Sequence, residues 1–464
     1  MSVKKLCFES WILEDGNVSK NADIDEWIDR LNNTTKVNIN KIDLQKSDFW
    51  FYDEKEGVIR NKNHSFFTIK GFQRKKENKI VQEQPVIIQD EIGYLGIICK
   101  VIDGVLNFLM QAKIEPGNLN NIQLSPTIQA TKSNFMQKHG GKKPNYLDYF
   151  MDASNYEIIV DQIQSEQSSR FYKKRNRNII IKVNDEDIIL EKNFKWMTLG
   201  QIKRLMKRDN IVNMDTRTVL SCIPYYNHAL SQDELKEMME KAKDKALFKS
   251  VFCANDEGII PRIYQFINNI KMFEETKDFL VPLKELSTWE KNGEEFVCKQ
   301  EHNFKVVFCD IMIEGREVVR WTQPLFEATG IAIFGLFTCV EKGIRKFLVK
   351  AKREIGCFDI LELGPTLQIE PSHINGATDN VISIFLEKLD KGERVLHNVL
   401  LSEEGGRFYH EQNHNVIIEI EKEEVYVSEE DGYFWVDYST LNQLVQINNC
   451  LNIQLRNLIS LLEV

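Results

Sequence analysis

No two of the nine cysteines in this 464-residue chain stand as a CxxC pair, and their number is odd. A structural zinc site or a disulfide framework would need paired spacing, so neither is expected. Cys99 in GIICKV and Cys339 in FGLFTCV sit inside apolar runs, as buried reduced thiols do. The segment MSVKKLCFESW lacks the apolar core of a signal peptide, and the longest apolar run, IAIFGLFTCV, is too short to cross a bilayer. A soluble cytoplasmic protein with no membrane partner is the expectation. Positive charge is in deficit, with a formal net charge of -9. That argues against a nucleic-acid partner, which needs a basic face, but leaves a small anionic ligand open. There is no GxGxxG after a strand, no P-loop, no GxSxG and no HExxH, so nicotinamide, P-loop, serine-hydrolase and zincin chemistries have no foothold.

What the chain does contain is itself, twice. QPVIIQDEIGYLGIICKVIDGVLNFLMQAKIEPGNLNNIQLSPTIQA, from Gln84, aligns without a gap on QPLFEATGIAIFGLFTCVEKGIRKFLVKAKREIGCFDILELGPTLQI, from Gln323, with 16 identities in 47 positions. The offset is 323 − 84 = 239. SEQSSRFYKKRNRNIII from Ser165 matches SEEGGRFYHEQNHNVII from Ser402 at an offset of 237, and the segments from Trp196 and Trp435 match again at 239. So long a period excludes a solenoid and indicates two copies of one globular unit, at about 46–225 and 281–464.

LGIICKVI, LNFLMQAKI and NIIIKV read as strands, whereas LGQIKRLMKRDN and STLNQLVQINNCLNIQLRNLISLL have helical spacing. Each unit is therefore an α+β body, a mixed sheet closed by helices. SQDELKEMMEKAKDKALF reads as one connecting helix within 226–280, N-capped by Ser231. Residues 1–45 carry a short helix around DIDEWIDRL and are expected to pack on a unit as an extension.

The first unit holds FLMQAKIEPGN (108–118), LSPTIQATKSNF (124–135), HGGKKPNYLDYF (139–150), QSEQSSRFYKKRNRN (164–178) and NMDTRTVLSC (213–222). In this order, within a duplicated chain, these blocks resemble the signature segments of the NDP-hexose 2,3-dehydratases. SEQSS departs from the pattern, lacking the glycine expected after the glutamine. The resemblance implies a tandem duplication of a Nudix-like α/β/α unit and a homodimer with two nucleotide-sugar pockets per subunit, one of them catalytic. It implies a lyase that acts on dTDP-4-keto-6-deoxy-glucose without a cofactor or metal and passes its product to a 3-ketoreductase. The alternative is a catalytically silent nucleotide-sugar binding protein of the same Nudix-like fold, which need not keep the potential acids and bases of these blocks. A Nudix-type fold also raises a rival, the magnesium-dependent nucleotide hydrolase. Its REUxEExGU helix is missing from both copies; REIGC at 353–357 lacks the paired glutamates.

Such a lyase needs a base for the C3 proton, an acid for the C2 hydroxyl, donors for the developing enolate, and a diphosphate site. Glu166 is a candidate base or acid, or else an ion-pair partner of Arg170. Arg170, repeated as Arg407, is favoured over Lys173, Lys174, Arg175 and Arg177 as a diphosphate ligand, because a guanidinium binds in bidentate fashion. Tyr172, repeated as Tyr409, is a catalytic phenol or core. Lys113, repeated as Lys352 and beside Gln111, suits a ligand-facing strand position. Thr131, Lys132, Ser133, Asn134 and Phe135 resemble a pocket-lining loop, with an ordinary polar turn as the alternative; Ser165 precedes Glu166 at the same pocket; His139 is a proton shuttle or a turn residue. Trp50 and Trp289 either stack on thymine or plug their own units. A second pocket would use Lys352, Gln368, Ile369, Glu370, His373, Ile374, Glu404, Gly405, Gly406 and Arg407. Asp215 and Arg217 are expected to pair with each other, and Asn210 and Asn213 to cap or turn.

Overall fold

The computed structural model describes residues 2–131, 143–184, 188–225, 230–316, 318–372 and 379–464. The two long apolar runs of each copy form a hairpin. Gly93–Ile102 and Val105–Ile114 turn through Asp103 and Gly104, and Ile333–Glu341 and Ile344–Arg353 turn through Lys342 and Gly343. All four turn residues have positive φ, the geometry that a two-residue turn between right-twisted strands requires. Around the first hairpin a seven-stranded sheet runs Glu157–Ser165, Arg175–Lys182, Gly93–Ile102, Val105–Ile114, Phe194–Met197, with Ile122–Ser125 and Ile128–Ala130 added at its ends. Arg175–Lys182 lies parallel to Gly93–Ile102, so the sheet is mixed. The second unit repeats this sheet strand for strand, including the parallel pair Gln412–Glu419 and Ile333–Glu341. The fold is mixed α/β, as the patterning predicts.

Each unit also has a smaller sheet, and here the units exchange strands. Val37–Lys41, ahead of the first unit, pairs with Phe304–Ile313 of the second. Lys277–Val281, ahead of the second unit, pairs with Thr68–Lys76 of the first. The two exchanged strands are related by 277 − 37 = 240 residues. Residues 1–45 thus serve both units rather than packing on one. Their helix Val3–Ile12 donates from Ser10 Oγ to the Leu106 carbonyl, and Ser10 Oγ accepts from Leu199 N. Ser250, in Lys245–Phe252, makes the matching bonds to the Arg345 carbonyl and from Tyr438 N. The likeness between the halves therefore extends upstream of residues 46 and 281.

The stretch expected as one connecting helix is two, Gln232–Lys241 and Lys245–Phe252. Ser231 caps the first, in a capping box with Glu234. The break follows from Asp244, whose carboxylate accepts from Leu247 N at 2.8 Å and pairs with Arg345 at 2.8 Å, starting a new helix instead of continuing the old one. Between the units the helices Met214–Ser221 and Ile453–Ser460 lie in one continuous apolar core that draws residues from both halves. Seven of the nine cysteines are buried, and all are free thiols. Among the described residues no helix is long and apolar enough to cross a membrane.

Candidate functional site

Two loops cross from each unit to the other. The turn after Val105–Ile114 brings Gly117 against residues 405–408: Gly117 N donates to the Gly405 carbonyl at 2.7 Å, and a Cβ on Gly117 would stand 1.5 Å from the Phe408 carbonyl oxygen. Gly356 does the same for residues 168–171, donating to the Ser168 carbonyl at 2.7 Å, with 1.6 Å between a built Cβ and the Phe171 oxygen. No side chain fits at either crossing, which is why both copies carry glycine there. Two buried arginines lock the exchange. Arg217 donates to the Ser402 carbonyl at 2.8 Å, and Arg456 donates to the Ser165 carbonyl. Each unit thereby holds the other's loop.

The exchange builds a cavity of about 670 Å³, within the range of small-molecule sites. Its first-unit wall carries Trp50, Phe67, Tyr94, Lys113, Glu115, Gln129, Thr131, Glu166, Lys174 and Asp215; its second-unit wall carries Arg316, Arg320, Trp321, Gln323, Glu404, Gly406 and Arg407. Glu166 follows the strand Glu157–Ser165 and is 4% exposed. Asn176 donates to its Oε1 at 3.0 Å, and among the described residues its buried Oε2 has no partner. Burial pushes its pKa up, with Arg456 and Lys174 working the other way. Lys174, also buried, donates to the Glu91 carbonyl and is pushed down to about 8, again by burial, against Glu166. Glu115 pairs with Lys113 at 3.0 Å; burial opposes its ionisation, but Lys113, Arg316 and Arg407 outweigh that and hold its pKa low. Glu404 is raised to about 8, by burial first and by Glu115 next. Asp215 is raised well above the aspartate range by burial and by Glu166, Glu404 and Glu115. With Glu404 and Asp215 neutral, Lys113, Lys174, Arg316, Arg320 and Arg407 outnumber the remaining anions, as a diphosphate requires. Arg407 stacks on Phe67 at 4.4 Å and donates to Gln89 at 3.2 Å.

Trp50, Lys113, Thr131, Glu166, Glu404, Gly406 and Arg407 are therefore brought together as cavity lining. Others are not. Arg170, whose loop crosses to the second unit, stacks on Phe304 at 4.2 Å and lies 3.9 Å from Glu370. Of this repeated pair it is Arg407 that lines the Glu166 cavity, so each of the two arginines serves the opposite half. Gly405 backs the cavity through its bond from Gly117. Ser165 turns away, donating to Glu362 at 2.7 Å. Gln111 sits mid-sheet opposite Phe194 and Ser125. Tyr172 packs on Phe72 in a small apolar cluster with Ile355, the core alternative for this ring. Trp289 is buried against Phe296, His302 and Phe304, plugging its own unit, and Ile369 is core. Lys352 and Gln368 approach Glu354 at 3.9 and 3.3 Å. Lys132, Ser133, Asn134, Phe135, His139, His373 and Ile374 lie outside the described residues.

The expected pair Asp215–Arg217 does not form. Arg217 spends its donors on the Val212 and Ser402 carbonyls and on Asn457, while Asp215 joins the cavity. Asn213 caps the helix Met214–Ser221 as expected. Sequence reasoning missed Asp215 and ranked Lys174 below Arg170. The signal available was divergence between the copies, because Lys174 aligns with Glu411 and Asp215 with Gln454.

The profile of the NDP-hexose 2,3-dehydratases matches residues 21–223 and again 261–462, once per unit. The chain belongs to the NDP-hexose 2,3-dehydratase family. It is similar to the dTDP-4-dehydro-6-deoxy-alpha-D-glucopyranose 2,3-dehydratase of Saccharopolyspora spinosa, 36% identical over 91% of this chain and 87% of that one. The proteins of the same name from Amycolatopsis orientalis (31% identical, over 96% and 91%) and Streptomyces violaceoruber (30%, over 96% and 97%) are also similar to it over nearly their whole lengths. In this NDP-hexose 2,3-dehydratase the counterpart of the Glu166 cavity is a cluster of Lys352, Glu354, Glu370, Glu403 and Glu411 with Arg170. The cations of that cluster are Lys352 and Arg170, against Lys113, Lys174, Arg316, Arg320 and Arg407 in the first, so the cation-rich first cavity is the better host for a diphosphate.

Proposed function

We propose that this chain is a hydro-lyase that removes the C2 hydroxyl of dTDP-4-keto-6-deoxy-D-glucose, in the cavity built on Glu166, to give a 2,6-dideoxy-3,4-diketo sugar. Glu166 carries the proposal. It is a buried carboxyl with one oxygen held by Asn176, the other without a donor among the described residues, and a pKa raised by burial, which strengthens it as a general base. The C4 ketone acidifies the C3 proton, and Glu166 takes it. Lys113 and Lys174 supply positive charge to the enolate oxygen, and Arg407 and Arg316 to the diphosphate. Trp50, Phe67 and Trp321 offer aromatic faces to the thymine ring. The ketone itself is the electron sink, so this chemistry draws on no redox cofactor. Each unit, a mixed sheet with helices, is of Nudix type on this reading, and the functional form is a cytoplasmic homodimer whose unstable product goes to a 3-ketoreductase.

The test is incubation with the substrate in deuterium oxide, with EDTA and without nicotinamide, followed by trapping with a 3-ketoreductase and NADPH and by mass spectrometry. Loss of water with deuterium at C2 is expected. Unchanged substrate would overturn the reading, and release of dTMP only after magnesium is restored would replace it with a hydrolase.

A further inference from the structure

Four buried or half-buried carboxyl groups line the cavity, and three are engaged. Glu115 is paired with Lys113 at 3.0 Å, Glu166 accepts from Asn176 at 3.0 Å, and Glu404 accepts from Gly406 N at 3.0 Å. The fourth is Asp215, 2% exposed, to whose Oδ1 no group among the described residues donates. It sits two residues past the N-cap Asn213, where a carboxylate normally finds free backbone N–H groups; here Asn213 itself accepts from Thr216 N at 2.8 Å. Burial, with Glu166, Glu404 and Glu115 nearby, favours its protonated form against the pull of Lys113, Arg217 and Arg456. At the equivalent place in the other half stands Gln454, which is isosteric with a longer carboxylic acid but has no acidic proton to give.

We infer that Asp215 is the catalytic acid that protonates the departing C2 hydroxyl. The assignment rests on the dehydratase reading and gives it the second of the two groups it requires. Glu166 accepts the C3 proton as the C3–H bond electrons form the enolate. The enolate then expels the C2–O bond, and the Asp215 proton completes the water molecule, leaving the Asp215 carboxylate and a C2=C3 enol. In the tautomerisation that follows, Glu166, its proton having exchanged with solvent, protonates C2, and Asp215 takes the proton of the C3 hydroxyl. Both side chains return to their starting states, and the sugar has lost one water and nothing else. Gln454 cannot take part in such a cycle, so the second half is confined to roles that need no proton donor.

The experiment compares leaving groups. Asp215→Asn and the wild type are assayed on dTDP-4-keto-6-deoxy-glucose and on its 2-deoxy-2-fluoro analogue, because fluoride departs without protonation whereas hydroxide does not. The variant is expected to dehydrate the natural sugar about 10²–10⁴-fold more slowly, to eliminate fluoride at a rate comparable with wild type, and to keep exchanging the C3 proton for deuterium in recovered substrate. The fluoride reaction also shows that the variant is folded and binds substrate. Equal loss on both sugars would overturn the assignment in favour of a structural role, and undiminished dehydration would overturn it in favour of another donor. A wild type that eliminates neither leaving group would defeat the dehydratase reading itself, and this assignment with it.

Discussion

Glu166 and Glu403 hold matching places in the two halves, each with an asparagine donating to one oxygen, Asn176 at 3.0 Å and Asn413 at 2.7 Å. What separates them is the third residue of each set, the ammonium of Lys174 against the carboxyl of Glu411. Glu166→Gln is therefore expected to lower kcat about 10²–10⁴-fold with dTDP affinity unchanged by calorimetry, and Glu403→Gln to leave kcat in place. Because burial raises the pKa of Glu166 and a base must be ionised, kcat/KM should fall as pH drops through a midpoint above the ordinary glutamate value. Glu362 offers a stability test away from the cavity. Burial raises it to about 8, so between the ordinary value of 4.5 and 8 the folded chain keeps a proton that the unfolded chain has released. Its contribution to stability is thus lost as pH rises through that window. Glu362→Gln, which does not titrate, should gain in Tm relative to wild type on going from pH 5 to pH 9. At this scale the sequence was partly readable. Lys113 and Glu166 stand out as polar residues in repeated blocks. Asp215 was misread because it lies two residues from Arg217, and positions i and i+2 of a helix point to different sides. Only the fold shows which of the two faces the cavity.

Among elements, the central strands, the mixed sheets and the C-terminal helices were all legible from periodicity, because each depends on local spacing of apolar residues. Boundaries that depend on a tertiary partner were not. The break before Lys245–Phe252 needs Arg345, a hundred residues away, to hold Asp244. The glycine crossings belong to the same class: Gly117 and Gly356 are visible as identities in the repeat, yet their neighbours come from the other unit. Gly117→Ala and Gly356→Ala should each cost roughly 3 kcal/mol or more, the upper range for overpacking, since a backbone carbonyl must move. The two differ in what they displace. Gly117→Ala shifts the segment holding Glu404 and Arg407 and should weaken dTDP binding, whereas Gly356→Ala shifts the segment running from Glu166 to Lys174 and should lower kcat more than it weakens dTDP binding. Melting, turnover assays and titration calorimetry together would separate them.

For the molecule as a whole, the offset between copies announces two units but says nothing about which unit a given strand joins. Val37–Lys41 and Lys277–Val281 each complete the sheet of the other half, and one apolar core runs through both. Neither half can then melt while the other keeps all its hydrogen bonds. Scanning calorimetry should show a single transition whose van't Hoff and calorimetric enthalpies agree, in place of two transitions from two domains. The crossing strands also constrain how the chain arose. A half-length ancestor with this architecture would have had an unpaired sheet edge and an incomplete cavity until it met a twin, so it would have lived as an intertwined dimer with two identical sites. Joining the two genes end to end would have made that partnership permanent and, for the first time, let the sites mutate separately. Lys174 aligned with Glu411, and Asp215 aligned with Gln454, are differences of the kind that such freedom would allow.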